Sequence, residues 1–265
     1  HDMLGALLKL GRTREGLWKS AIDFETGESL KDTLSDNWGY LFAAYLTQAM
    51  IEDRYPGGDP VLAAQYRAAA ERGLNAAADL DLYPWQGVEQ DGYADTIESA
   101  LYLIDQISAP RAERWVDRQA GTLFGAQDEM GRVEDRYLDG NFVRTALLYS
   151  GWQTQGARVE PWNPGVLLGA TPSGDCVQIA LGSAGEWDGR VIFDAPRSRT
   201  NLHLPIAYPR LNGWPEWFTA EATGNYTISD VNTGASWGVS GADLQDGLQV
   251  SLEPGAERDW TVCRT

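Results

Sequence analysis

The spacing of hydrophobic positions changes character near residue 160. Before that point, apolar residues recur every three or four positions, which is typical of amphipathic helices. After it, short alternating runs are separated by Gly, Pro, Asn and Asp, which is typical of antiparallel strands and their turns. The pattern therefore predicts a helical domain over 1–160 and a β domain over 161–265, an α+β two-domain chain.

Helix starts give the clearest local signals in the first domain. Asp59 and Pro60 form an N-cap followed by proline at the first helical position, and the helix they open should bury Tyr66. Ser35 or Asp36 is expected to cap the preceding helix. The predicted helices span 3–11, 37–54, 60–79, 93–107, 109–125 and 141–155, with a loop over 12–35.

The β domain contains about nine candidate strands, and their spacing predicts an antiparallel sandwich. Cys176 and Cys263 both lie in this region. The sequence is compatible with a disulfide between them and equally with two buried free thiols. The strands with the clearest pattern span 175–181, 189–194, 201–206, 225–230, 248–252 and 258–263.

Every second predicted helix begins with a dense cluster of polar and aromatic residues. These clusters are "SDNWGY" (35–40), "EQDGYAD" (89–95) and "YLDGN" (137–141), whereas the helices between them start with ordinary caps. An α/α toroid would give this alternation, because its inner helices point their N-termini to one mouth and its outer helices face water. Acids are tolerated there, since free N–H groups and the helix dipole stabilise them.

Three helical stretches and one β stretch carry a resemblance to known enzymes. The stretches are "DNWGY" (36–40), "DGYADTIESALYL" (91–103), "DGNFVRTALLYSGWQTQG" (139–156) and "YPRLNGWPEWF" (208–218). With them the chain resembles the six-hairpin α/α-toroid carbohydrate-active enzymes, which include six-hairpin glycosidases and heparinase II/III-like polysaccharide lyases. The resemblance implies a partial (α/α) toroid of about three helical hairpins followed by an antiparallel β-sandwich. A complete toroid has more helices, so it also implies a missing N-terminal toroid half or a partner chain.

Carboxylates on one helix face are the first catalytic candidates. Asp91, Asp95 and Glu98 share a face at spacings of four and three. Glycosidic hydrolysis uses two carboxyl groups, and crowding raises the pKa of at least one. The pair could also span two helices, as Asp36 or Asp139 with Asp95. The alternative is that these residues are helix-start acids, with Glu98 solvated or paired with an arginine.

Aromatic and amide side chains near the same helix starts are the candidates for substrate binding. Trp38 and the loop residue Trp85 could stack on sugar rings, while Asn37 could hydrogen-bond a sugar. Packing within the fold is the alternative for both tryptophans. Asp139 and Asn141 belong to the same group of candidates.

Arg144 could bind a substrate carboxylate as a two-pronged fork. A structural ion pair with Asp95 or Glu98 is the favoured alternative. A lyase would instead use Tyr40 or Tyr93 for proton transfer, with Asn37 and Arg144 beside a uronate.

Histidine is scarce, and His203 is expected to be a structural residue in a strand. Lyases of the resembling type usually combine Tyr with His, so the sequence favours a glycoside hydrolase acting on an oligo- or polysaccharide. A polysaccharide lyase and a non-catalytic glycan-binding or assembly module are the alternatives.

The net charge of −17 argues against nucleic-acid binding and against anionic membranes. No apolar run is long enough to span a bilayer. No cofactor or metal motif is present, so none is expected. The resemblance implies a secreted or periplasmic protein.

Overall fold

The computed structural model describes residues 2–80, 90–132, 140–209 and 213–265. The chain forms two compact units, the first comprising His1–Tyr149 and Tyr208–Pro215, and the second Ser150–Ala207 and Glu216–Thr265. The first unit is helical and the second contains two antiparallel sheets, so the α+β organisation is confirmed. The division into domains at residue 160 stays a prediction, because compactness does not show that either part folds alone.

The predicted helices of the first domain are present, with ends that differ by a few residues. Asp59 caps its helix as predicted, since its side chain accepts hydrogen bonds from the backbone N–H groups of Val61 and Leu62. The cap of the preceding helix is Asn37 rather than Ser35 or Asp36. The helices are α1 Asp2–Leu7, α2 Trp38–Arg54, α3 Pro60–Ala78, α4 Gln90–Ile104, α5 Pro110–Gly125 and α6 Asn141–Gln153, with α7 Arg197–Thr200 and α8 Gly241–Asp246 in the second unit. Within the described ranges, no helix combines the length and the apolar character needed to cross a bilayer.

Helix α4 is the central element of the helical unit. Its residues from Thr96 to Leu103 are all buried, and it packs against α2, α3 and α5. Gly39 of α2 lies directly against Ser99 of α4, where an added Cβ would be only 2.4 Å from the Ser99 Cβ and 2.5 Å from its Cα. The missing side chain at Gly39 therefore sets how closely α2 approaches α4.

The second unit contains a three-stranded and a five-stranded sheet. Their strand orders are β1-β4-β7 and β2-β3-β8-β5-β6, and every pairing is antiparallel. One buried cluster takes side chains from both sheets, including Val191 and Leu252 of the smaller and Ile179 and Val262 of the larger. The strands are β1 Arg158–Glu160, β2 Val166–Ser173, β3 Cys176–Ser183, β4 Trp187–Ile192, β5 Asn225–Asp230, β6 Ser236–Ser240, β7 Leu248–Leu252 and β8 Glu257–Arg264.

The strand predicted over 201–206 is wrong. This segment follows α7 as turns and loop, and His203 has a φ of +53°, a left-handed conformation that a strand residue does not adopt. The alternating pattern of "NLHLPI" therefore reflects side chains of a loop and not a sheet face. His203 accordingly lies outside both sheets.

The two cysteines form a disulfide. Cys176 and Cys263 are direct partners in the register of β3 and β8, with their Cα atoms 4.2 Å apart. The alternative of two buried free thiols is thereby excluded. The bridge closes a sequence separation of 87 residues, so it restricts the unfolded chain strongly.

The contact between α2 and α4 gives the first prediction. Gly39→Ala should lower the free energy of unfolding by about 2 kcal/mol, because the added Cβ collides with the backbone of Ser99. Gly121→Ala is the matched control, since nothing lies within 4 Å of its Cβ position on α5. The control should raise stability by about 0.5–1 kcal/mol through helix propensity. Denaturation followed by helical circular dichroism measures both, and equal effects of the two variants would contradict the close contact.

Candidate functional site

The first turns of α2 and α6 both pack against α4. Ser99 of α4 donates through its hydroxyl to the carbonyl of Asp36, just before α2, at 3.2 Å. Thr145, in the first turns of α6, donates to the carbonyl of Ala94 in α4 at 3.1 Å. These are the three helices whose starts carry the polar and aromatic clusters.

A buried ion pair lies at the centre of this region. The side chain of Glu98 is 0% exposed, and its Oε2 accepts a hydrogen bond from Nε of Arg144 at 2.6 Å and forms an ion pair with Nη2 at 2.6 Å. Nη2 of Arg144 also contacts Oδ1 of Asp95 at 3.1 Å. Arg144 of α6 thus binds two carboxylates from successive turns of α4. The structural ion pair that the sequence analysis favoured for Arg144 is present.

The three charged side chains differ in their access to solvent. Asp95 is 14% exposed and Arg144 is 28% exposed, whereas Glu98 is fully enclosed. The pKa of Arg144 is raised, because its hydrogen bond to Glu98 and the Glu98 charge outweigh the opposing effect of burial. Asp95 and Arg144 are therefore the members of the cluster that a ligand can reach.

Two tyrosines surround the buried carboxylate. The pKa of Tyr40 and that of Tyr102 are both raised, by burial first and then by the negative charge of Glu98. Their rings are 6.2 Å apart. Within the described part of the chain, neither hydroxyl nor Oε1 of Glu98 meets hydrogen-bond geometry with a partner. Both phenols stay protonated at neutral pH and can act as hydrogen-bond donors.

Three other predicted site residues have different surroundings. The Tyr93 hydroxyl donates to Oε1 of Gln119 at 2.8 Å and links α4 to α5. Trp38 is 0% exposed and packs edge-on against Phe42, so it offers no ring face to a sugar and its buried position favours the packing alternative. Asn37 is exposed and donates from Nδ2 to the Asp36 carboxylate at 2.8 Å.

The structure describes only some of the remaining predicted site residues. Asn141 is the first residue of α6 and is half-buried. Trp85 and Asp139, and the side chain of Asp91, lie outside the described residues. Tyr102 was not selected from the sequence, although its position four residues after Glu98 places it on the same helix face.

The cluster can hold a partly exposed carboxylate in a fixed orientation, with phenol donors beside it. Among the described residues, no group of three His, Cys, Asp or Glu side chains is arranged to hold a metal ion. No protein-family model, curated protein or solved structure matches the chain. The chemistry of the cluster is therefore inferred from its geometry.

The raised pKa of Tyr102 predicts a loss of stability in alkali. The phenol ionises near pH 10 in the unfolded chain but at higher pH in the folded one. The folded state then holds the proton more tightly than the unfolded chain does. The stabilising contribution of the protonated phenol is therefore fully present below pH 10 and is lost as the pH rises above that value. Each such tyrosine lowers the free energy of unfolding by about 1.4 kcal/mol per pH unit there.

The Tyr102→Phe variant removes this contribution. Denaturant unfolding of the variant should depend less steeply on pH above 10 than that of the wild type. Tyr55→Phe, at an exposed position, is the control and should keep the wild-type slope. The same slope in all three proteins would show that Tyr102 ionises normally in the fold.

Proposed function

We propose that the chain is a carbohydrate-active enzyme, a glycoside hydrolase that binds an oligo- or polysaccharide where α2, α4 and α6 begin. The observation that carries the proposal is the partly exposed Asp95 carboxylate held by Arg144 above the enclosed Glu98. A carboxylate that is fixed in orientation and open to solvent is what acid–base cleavage of a glycosidic bond requires.

The burial of the two carboxylates separates their roles. Asp95 reaches solvent and is the catalytic residue of the proposal. Glu98 is fully enclosed, so it acts through Arg144 as a positioning residue. The second carboxylate of the reaction would come from Asp36, which is half-buried at the start of α2, or from Asp139.

The helical part supports the proposal because it alternates between two kinds of helix. The starts of α2 and α6 pack against α4, and α3 and α5 connect these helices along the chain. A partial (α/α) toroid of about three hairpins would have this order. We therefore propose that the helical unit is such a partial toroid.

The β part supports the same relationship to the six-hairpin toroid enzymes. Its two antiparallel sheets contribute to one buried cluster, as the sheets of a β-sandwich do. The disulfide between Cys176 and Cys263 supports a secreted or periplasmic location, because such bonds persist in oxidising compartments.

A polysaccharide lyase is the second candidate, because Tyr40 lies close enough to Glu98 and Arg144 to interact with both charges. Its raised pKa makes Tyr40 a poor base at neutral pH, although the phenol could still donate a proton. The hydrolase is therefore favoured. A non-catalytic glycan-binding module is the third candidate, since the Glu98–Arg144 pair could serve packing alone.

The proposal is tested by a screen on neutral and uronic-acid polysaccharides that follows new reducing ends and ultraviolet absorbance together. Reducing ends without absorbance are expected, because hydrolysis creates no double bond. Asp95→Asn should lower this activity roughly 100-fold or more while leaving the melting temperature close to that of the wild type. Asp188→Asn, an exposed carboxylate of β4, is the control and should keep full activity.

The other outcomes are equally informative. Ultraviolet absorbance that appears as turnover begins would show an unsaturated product, and the lyase would then be the assigned activity instead of the hydrolase. Glycan binding without either product would support the binding module. Full activity of the Asp95→Asn variant would show that Asp95 is not a catalytic residue.

A further inference from the structure

Two arginines of the helical unit approach each other at Gly16. Arg12 lies in the loop after α1 and Arg72 lies on α3. A Cβ built on Gly16 would be 2.9 Å from Nη2 of Arg12 and 3.0 Å from Nε of Arg72. Both guanidinium groups thus pack closely against Gly16, where a side chain would collide with them. Like charges this close repel, so the arrangement needs compensation.

Arg12 is held by groups that carry no negative charge. Its guanidinium lies 4.7 Å from the ring centre of Trp18 and 5.7 Å from that of Phe42, and it donates from Nη2 to the carbonyl of Gly16. Its Nε is buried without a hydrogen-bond partner in the described part of the chain. Burial and the charge of Arg72 both lower the pKa of Arg12, because each disfavours the charged guanidinium.

Carboxylates are abundant in this chain, which has 38 acidic and 21 basic residues. Even so, across residues 2–80, 90–132, 140–209 and 213–265, neither Arg12 nor Arg72 forms an ion pair. Other arginines do have carboxylate partners. These pairs include Arg67–Asp53, Arg111–Asp79, Arg132–Asp128, Arg144–Glu98, Arg190–Glu160, Arg197–Asp194 and Arg199–Glu221.

We propose that Arg12 and Arg72 form a binding site for an oxyanion, which bridges the two guanidinium groups beside Gly16. Guanidinium nitrogens suit the oxygens of carboxylate, sulfate and phosphate groups, and two of them around one anion provide both charge and directed hydrogen bonds. The ring contacts of Arg12 hold it in place before the anion arrives. Arg72 is exposed, so the anion can enter from solvent. The site is independent of the proposed glycosidase activity.

The test follows thermal unfolding of the full chain by helical circular dichroism, and compares sodium phosphate, sulfate and glucuronate with sodium chloride of equal ionic strength. At about ten times the Kd, the bound anion should raise the Tm by about 3 °C. A rise with phosphate or sulfate identifies a tetrahedral anion, and a rise with glucuronate alone identifies a carboxylate. Both results support the site.

Two variants at exposed positions of α3 make the test specific. Arg72→Ala should lose the rise in Tm, while Arg67→Ala, which removes the same charge from the same helix, should keep it. The absence of a rise in the wild type with all three anions would overturn the proposal. An equal rise in Arg72→Ala would do so as well, because it would show a general salt effect.

A third variant supplies the missing negative charge within the chain. Arg72→Glu places a carboxylate beside Arg12, so in chloride it should melt at a higher temperature than Arg72→Ala and should not respond to the anions. A lower Tm than that of Arg72→Ala would mean that Arg12 needs no negative partner, which contradicts the proposed site.

Discussion

The helical unit depends on how the charge of Glu98 is compensated. A carboxylate with no access to water is costly to bury, and the cost is recovered only when a well-placed cation binds it. Arg144 supplies that cation from α6, which fixes the position of α6 against α4. The contact of Gly39 with Ser99, the residue that follows Glu98, fixes the position of α2 against α4. Two short-range contacts thus pack the starts of α2 and α6 against the middle of α4.

This constraint also determines what the cluster can do. Because Arg144 is bound to Glu98, its Nη2, which contacts both carboxylates, can hold Asp95 in one orientation at the solvent boundary. Tyr40 and Tyr102 remain protonated beside the pair. An enclosed carboxylate orients an arginine, and the arginine orients the carboxylate that a substrate would meet. In the proposed hydrolase, the buried Glu98 therefore affects catalysis only by orienting Arg144 and, through it, Asp95.

Much of the helical part follows from sequence because its signals are local. The cap at Asp59 and the proline after it are sufficient to place the start of α3. The spacing of Asp95 and Glu98 likewise places them on one face of α4. Their difference in exposure could not be predicted, because it depends on how α2 and α6 cover that helix. The sequence therefore identified the charged residues of the cluster but not which of them reaches solvent.

Long-range and backbone features account for the one wrong strand and for the questions that the sequence left open. The alternating pattern around His203 suggested a strand, but the left-handed backbone at that residue depends on the loop and not on side-chain alternation. Trp38 has the chemistry of a sugar-stacking residue, yet its packing against Phe42 buries it completely. The disulfide needed the register of β3 and β8, which spacing in the sequence does not define. The most direct test of the account is a double-mutant cycle with Glu98→Gln, Arg144→Gln and the combined variant, in which unfolding free energies give the coupling between the two residues. The account predicts a coupling of about 2 kcal/mol or more, whereas a value below about 0.5 kcal/mol, as for an exposed pair, would contradict it.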